Sequence, residues 1–253
     1  MILVNCSYAI YKSSPTVCNL DRDFPANNPS QTRRNLESVR NRLLPLLDPS
    51  HNFTSEQLEG QWNTRHWINT DQNQSLIVHD ISFAACRFVI LLSPSNNQLI
   101  LFVKSSKQLS NSFIDWLEFR LDIIIRTLEL PSQLLHRFLD DYIRAAGQNS
   151  SRSAIELEFT TGLKELARLT ISLNAEDVEM FAIAEDSSPV HRILNHVVSS
   201  TSINVSELQL ARVSCSGGII RTEGKIKLIS GSASWQALFA KSWIFNISEL
   251  VFQ

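Results

Sequence analysis

Between residues 33 and 47, Leu36, Val39, Leu43, Leu44 and Leu47 recur at intervals of three and four, the spacing of one helical face. This predicts a helix over 33–47, with Pro45 fraying its last turn. Ahead of it, Ile2-Leu3-Val4 and Tyr8-Ala9-Ile10 read as a first strand and its continuation. Residues 13–32, rich in Pro, Asn, Ser and Asp and without apolar period, read as a long irregular loop. Leu58, Trp62 and His66 at intervals of four predict a second helix over 55–67. Ser75–Val78 and the almost wholly apolar Phe83–Leu92 read as strands, the latter central in a sheet, and a turn at 93–97 leads to a returning strand over Leu99–Val103.

The strongest stripes follow. Phe113, Trp116, Leu117, Leu121, Ile124, Ile125 and Leu128 predict a helix after a Ser112 cap, and Leu134, Leu135, Phe138, Leu139, Tyr142 and Ile143 predict another from Pro131 to Gly147. Beyond them the pattern predicts strands over 154–159, 178–184, 208–213 and 225–229. It predicts helices on Leu163, Leu166, Ala167 and Thr170, on 190–198 behind Ser188-Pro189, and over 232–241, then a final strand over 243–252.

This mixed order implies an α+β fold, a mainly antiparallel sheet with packed helices, rather than a regular βαβ alternation. The polar stretch from Gly147 to Ser153 breaks the periodicity. It divides the chain into an N-terminal region, 1–147, with the hairpin and helix pair, and a C-terminal region, 148–253, with one core shared between the two as the alternative.

Composition narrows the function classes. The 253 residues are 43% hydrophobic and 19% charged, with a net charge of −2. That suits a soluble globular protein and supplies no strong field for a polyanion or a membrane surface. No apolar run reaches the roughly 20 residues of a membrane helix. The short apolar start without a basic flank predicts an intracellular, cytoplasmic protein. Cys6, Cys18, Cys86 and Cys215 form no Cys-x-x-Cys pair, which predicts reduced thiols and neither zinc nor a redox dithiol. No cofactor is expected. The one local basic cluster, Arg33, Arg34, Arg40 and Arg42 on the first predicted helix, is a candidate phosphate-contacting surface for nucleic acid.

Catalytic constellations are sparse. His191 and His196, five apart, diverge by about 140° on a helix and cannot share a metal as an i, i+4 pair does. His79-Asp80 has the letters of a metal phosphohydrolase dipeptide without its further ligands, and Glu156 with Glu158 share one strand face. Neither a G-x-S-x-G elbow nor a nucleotide-binding glycine loop occurs.

One stretch does carry chemistry. Val213-Ser214-Cys215-Ser216-Gly217-Gly218-Ile219-Ile220-Arg221-Thr222 resembles the Cys-x5-Arg signature loop of protein tyrosine phosphatases. That resemblance implies Cys215 as nucleophile, Arg221 as bidentate phosphate clamp, Thr222 as the hydroxyl assisting the thiolate and Asp186 as general acid. The same letters also suit a tight turn between strands, with Cys215 a small core residue. A second resemblance, carried by Met1-Ile2-Leu3 with Cys6, Arg87, the helix pair and Arg152-Ser153, is to an uncharacterised prokaryotic domain of unknown function. The leading expectation is a non-enzymatic protein-interaction or assembly subunit of an intracellular complex, with a protein partner. A cysteine-dependent phosphatase and a nucleic-acid-associated subunit are the alternatives.

Overall fold

A computed structural model describes residues 6–14, 28–47, 59–69, 74–84, 86–93, 98–148, 153–163, 166–183, 188–229 and 234–252. Their elements are helical and antiparallel, so the protein is α+β. They fall into two units: residues 8–128 with 245–253, and residues 129–244 together with the first few residues of the chain.

The first unit is built on an antiparallel sheet in the order β2-β3-β4-β5-β1-β6: β1 (Cys6–Ser13), β2 (Gln61–Asn69), β3 (Gln74–Phe83), β4 (Cys86–Ser93), β5 (Gln98–Lys104) and β6 (Ile125–Thr127). The predicted hairpin is present as β4 and β5, with Val89 opposite Phe102 and Leu91 opposite Ile100, but Phe83, read as its first residue, closes β3 and pairs with Cys86. β4 is apolar on both faces because both are buried: Phe88, Val89, Ile90 and Leu91 are all fully inaccessible. Helix α1 (Pro29–Leu43) and helix α2 (Lys107–Leu121) lie over one face. Phe113 of α2 stacks on Phe88 at 3.8 Å, and Trp116 donates its indole N–H to the Ser38 hydroxyl of α1 at 3.0 Å. Each such buried aromatic contributes about 2–3 kcal/mol relative to an exposed one.

Three expectations change in this unit. Helix α1 starts at Pro29, inside the stretch read as loop, because the Asn28 side chain accepts the Gln31 N–H and Pro29 fits the first helical turn. The helix expected over 55–67 is strand β2 where described: an interval of four satisfies strand alternation as well as a helical turn, and pairing with β3 selects the strand. The helix expected from Ser112 to Leu128 runs instead from the Ser106 cap to Asp122, which is left-handed and stops it. The β-branched Ile123-Ile124-Ile125 then leads into β6 beside β1.

The second unit holds β7 (Ile155–Thr160), β8 (Arg168–Leu173), β9 (Gln209–Cys215), β10 (Gly218–Arg221) and β11 (Lys225–Leu228), ordered β8-β7-β9-β10-β11 and antiparallel throughout. Helix α3 (Ser132–Gln148) packs on β9, and α4 (Ala175–Ile183) and α5 (Pro189–Thr201) pack on α3. Asp140 of α3 accepts from the Ser188 hydroxyl and the Val190 N–H, so a carboxylate from a neighbouring helix reinforces the start of α5.

Of the helix expected on Leu163, Leu166, Ala167 and Thr170, the first three are not helical and Thr170 lies in β8, and the strand expected over 178–184 is helix α4 as far as it is described. The final helix-plus-strand is one helix, α6 (Ser234–Phe252). Its run Trp243, Ile244, Phe245, Asn246, Ile247 and Ser248 is buried at every position. A helix wrapped on all sides shows no polar stripe and so imitates a buried strand.

Candidate functional site

The stretch that resembled a phosphatase loop is a hairpin. Cys215 closes β9, Ser216-Gly217 form the two-residue connection, and Gly218 opens β10 opposite Cys215. Glycine is required at 217, in the turn, and at 218, where β10 opens, for different reasons. A Cβ on Gly218 would lie 2.5 Å from the Lys227 carbonyl oxygen of β11, and one on Gly217 would lie 2.8 Å from the Tyr142 ring.

Tyr142 is fully buried under this turn. Its hydroxyl bonds the Ser216 hydroxyl at 2.8 Å and the Ser153 hydroxyl at 2.6 Å, which ties α3, the turn and the start of the β7 segment together. Phe138, Tyr142, Trp235, Phe239 and Trp243 form an aromatic cluster behind it, with centroid separations of 5.0 to 6.4 Å. Ser153 and Ser216 are therefore framework hydroxyls.

Cys215 lies within this packing at 8% exposure, and burial pushes its thiol up to about 12, against the opposing pull of the Gly217 and Gly218 amides. A nucleophilic thiol needs the opposite shift. Arg221 sits opposite Arg212 on β9 and Lys225 on β11, three residues along the ladder from the turn, roughly 10 Å. Val213 and Cys215 share the buried face with Ile220, so Arg221 lies on the other face of the sheet. Thr222 gives its N–H to the Ala211 carbonyl at 3.0 Å and takes the Leu130 N–H at 2.9 Å, as a turn residue does. Asp186 lies outside the described residues. The phosphatase roles of Cys215, Arg221 and Thr222 are thus corrected: no helix follows the loop, and the clamp and nucleophile are on opposite faces.

Other sequence candidates are accounted for by packing and pairing. Glu158 takes Arg168 at 2.7 Å and Arg212 at 3.5 Å, and Glu156 takes Arg212 at 3.6 Å, forming a charge ladder across β8, β7 and β9. His79 and Asp80 point to opposite faces of β3. His79, buried, accepts the Trp62 indole N–H at 3.2 Å, its Nδ1 lies 3.0 Å from the Thr64 hydroxyl, and burial lowers its pKa to about 4. Asp80 is held bidentately by Arg87 at 2.7 and 2.8 Å. Among the described residues no His, Cys, Asp or Glu group is placed to hold a metal ion.

The four arginines of α1 do not form one track. At 100° per residue Arg33 and Arg40 share a direction, Arg34 is turned by about 100° and Arg42 by about 180°. Arg33 pairs with Glu37 at 3.2 Å, while Arg42 donates to the Ser112 carbonyl at 3.1 Å and lies 3.9 Å from Asp115.

Two features escaped sequence reading. One is the outer strand β8, whose polar–apolar alternation Arg168-Leu169-Thr170-Ile171-Ser172-Leu173 was available as a strand signal. The other is a cavity of about 360 Å³ in the first unit, where Lys12 of β1 stands directly opposite Arg126 of β6.

A family model described as centromere protein L matches residues 98–249, more than half of the chain. The chain belongs to the centromere protein L family. No curated protein sequence matches it. Membership in the centromere protein L family overturns the resemblance to a prokaryotic domain of unknown function. Of the residues that carried that resemblance, Ser153 serves the Tyr142 network and Arg87 holds Asp80, while Arg152 lies outside the described residues. A centromere family is intracellular, as expected, but the cytoplasm is not the compartment its name gives. Among the described residues no helix is long and apolar enough to cross a membrane.

Proposed function

We propose that the chain is a non-enzymatic subunit of a protein complex at the centromere, and that it holds a protein partner by adding a strand to β8. The carrying observation is that β8 lies inside the family-matched segment and ends its sheet. It pairs with β7 on one side and with no strand among the described residues on the other. An open edge offers a row of backbone donors and acceptors to a partner strand. The usual protections are weak here, since β8 has neither proline nor lysine, and its one charge, Arg168, is drawn to Glu158. Leu163 and Leu166, ahead of the strand, are 60% and 54% exposed, which adds apolar contact area beside the edge. By contrast the other sheet's outer strand, β2, exposes Arg65 and His66 and lies outside the matched segment.

The test uses adjacent proline substitutions. Successive residues of an edge strand point their N–H groups alternately inward and outward, so Thr170→Pro and Ile171→Pro form a matched pair: one removes a bond to β7 and the other only the outward donor. The variant that keeps the wild-type thermal midpoint is expected to lose the partner that co-purifies with the tagged chain. It is also expected to lose the tagged chain's focal signal at centromeres. Full partner recovery by that stable variant refutes edge pairing, and a wild-type chain that never concentrates at centromeres refutes the wider reading.

A further inference from the structure

We infer that the cavity at the β1–β6 end of the first unit is a docking site for a linear, acidic and apolar segment of a partner protein. Lys12, Ser13, Ser14, Gln98, Ile124 and Arg126 line it, with Val251 at its wall. Lys12 and Arg126 are cross-strand partners, so their like charges face each other on one side of the sheet, an arrangement that costs stability. Neither has an acidic partner among the described residues, and both are exposed.

A hydroxyl adds to the charge. Ser14 Oγ accepts the Ile124 N–H at 3.2 Å, which leaves its O–H proton free to donate, while Ser13, buried and turned to the other face of β1, accepts the Leu99 N–H at 3.0 Å. Two cations and the Ser14 hydroxyl thus meet in a cavity to which, among the described residues, Gln98 adds its amide. Such a set suits an anion, and a carboxylate bridging Lys12 and Arg126 would remove their mutual repulsion.

The remaining walls define the rest of the ligand. Ile124, 56% exposed, and Val251 are apolar, so an apolar side chain next to the carboxylate finds a surface to cover. The cavity sits at the small end of the range for ligand pockets, wide enough for one or two side chains but not for a duplex groove. These dimensions favour a peptide over a nucleic acid.

The experiment pans a random dodecapeptide display library on the whole chain and measures selected peptides by fluorescence anisotropy, alongside a labelled 20-base-pair duplex. Peptides with Asp or Glu next to Leu, Ile or Phe are expected. Lys12→Gln and Arg126→Gln should each weaken them about tenfold or more, the cost of a charge-assisted bond, without lowering the thermal midpoint. The inference is overturned if no selected peptide is sensitive to the two substitutions, or if the sensitive peptides lack acidic residues. It is also overturned if the duplex binds at physiological salt and loses binding in the same variants, or if either substitution unfolds the chain.

Discussion

The chemistry of Cys215 can be tested without assuming any substrate. Burial raises its thiol from 9.0 to about 12, three pH units. Below pH 9 the folded chain therefore carries about 1,000-fold less Cys215 thiolate than an ordinary thiol would, and alkylation, which uses the thiolate, slows by about the same factor. In energy, three units at ~1.4 kcal/mol each make ionisation in the folded state cost about 4 kcal/mol. A folded pKa above the unfolded one contributes stability that is complete below pH ~9 and is lost as pH rises toward ~12. Two assays follow. Iodoacetamide labelling at pH 8, read by peptide mass, should modify Cys215 about 1,000-fold more slowly than in the urea-unfolded chain. Urea unfolding at pH 8 and pH 10.5 should show wild type losing about 2 kcal/mol more than Cys215→Ala, because Cys86, also raised by burial, is present in both and drops out. Labelling within tenfold of the unfolded rate, or identical pH slopes for the two chains, would show that the thiol is accessible and the hairpin packing wrong.

Tyr142→Phe removes the hydroxyl shared by Ser153 and Ser216, and should cost about 1–2 kcal/mol in urea unfolding, one net hydrogen bond or two. Gly218→Ala should cost at least about 2 kcal/mol, since its Cβ meets the Lys227 carbonyl at 2.5 Å and the backbone itself must move; a neutral result in thermal melts would count against the β10–β11 register. His79, lowered to about 4 by burial and then by the His66 charge, titrates with the opposite sign to Cys215. Its contribution is present above pH ~6.5 and lost as pH falls toward ~4, so wild type should lose about 2–3 kcal/mol more than His79→Gln between pH 7 and pH 4.5.

What the sequence made legible follows from where one period dominates. The β4–β5 hairpin and the helix from Pro131 were readable because their apolar residues are buried on faces that only one geometry can produce. Trp62 and His66 misled because four residues is both a helical turn and two strand alternations, so the choice passed to the partner strand. Met180 and its neighbours on α4, and the run 243–248 of α6 that is buried at every position, misled for lack of contrast between faces. The candidate sites were less legible still. Lys12 and Arg126 are 114 positions apart and become neighbours only through the β1–β6 register, which no local pattern encodes. The edge character of β8 is likewise a property of what does not pair with it.

The Cys-x5-Arg spacing shows how a correct set of letters loses its chemistry. On a loop that curls into a helix, a cysteine and an arginine six positions apart converge on one anion. A two-residue turn does the reverse: it pairs Cys215 with Gly218 and Val213 with Ile220, so residues an even number of positions apart across the turn emerge on opposite faces. Arg221 is thereby committed to the face away from Cys215 by the same register that buries Ile220 completely. Adding one residue to the turn would bring the arginine round to the cysteine only by turning Ile220 out of the core and a charge into it. Each is a cost of about 2 kcal/mol or more. The hydrophobic pattern of β10 therefore selects the hairpin, and the hairpin excludes the phosphate cradle.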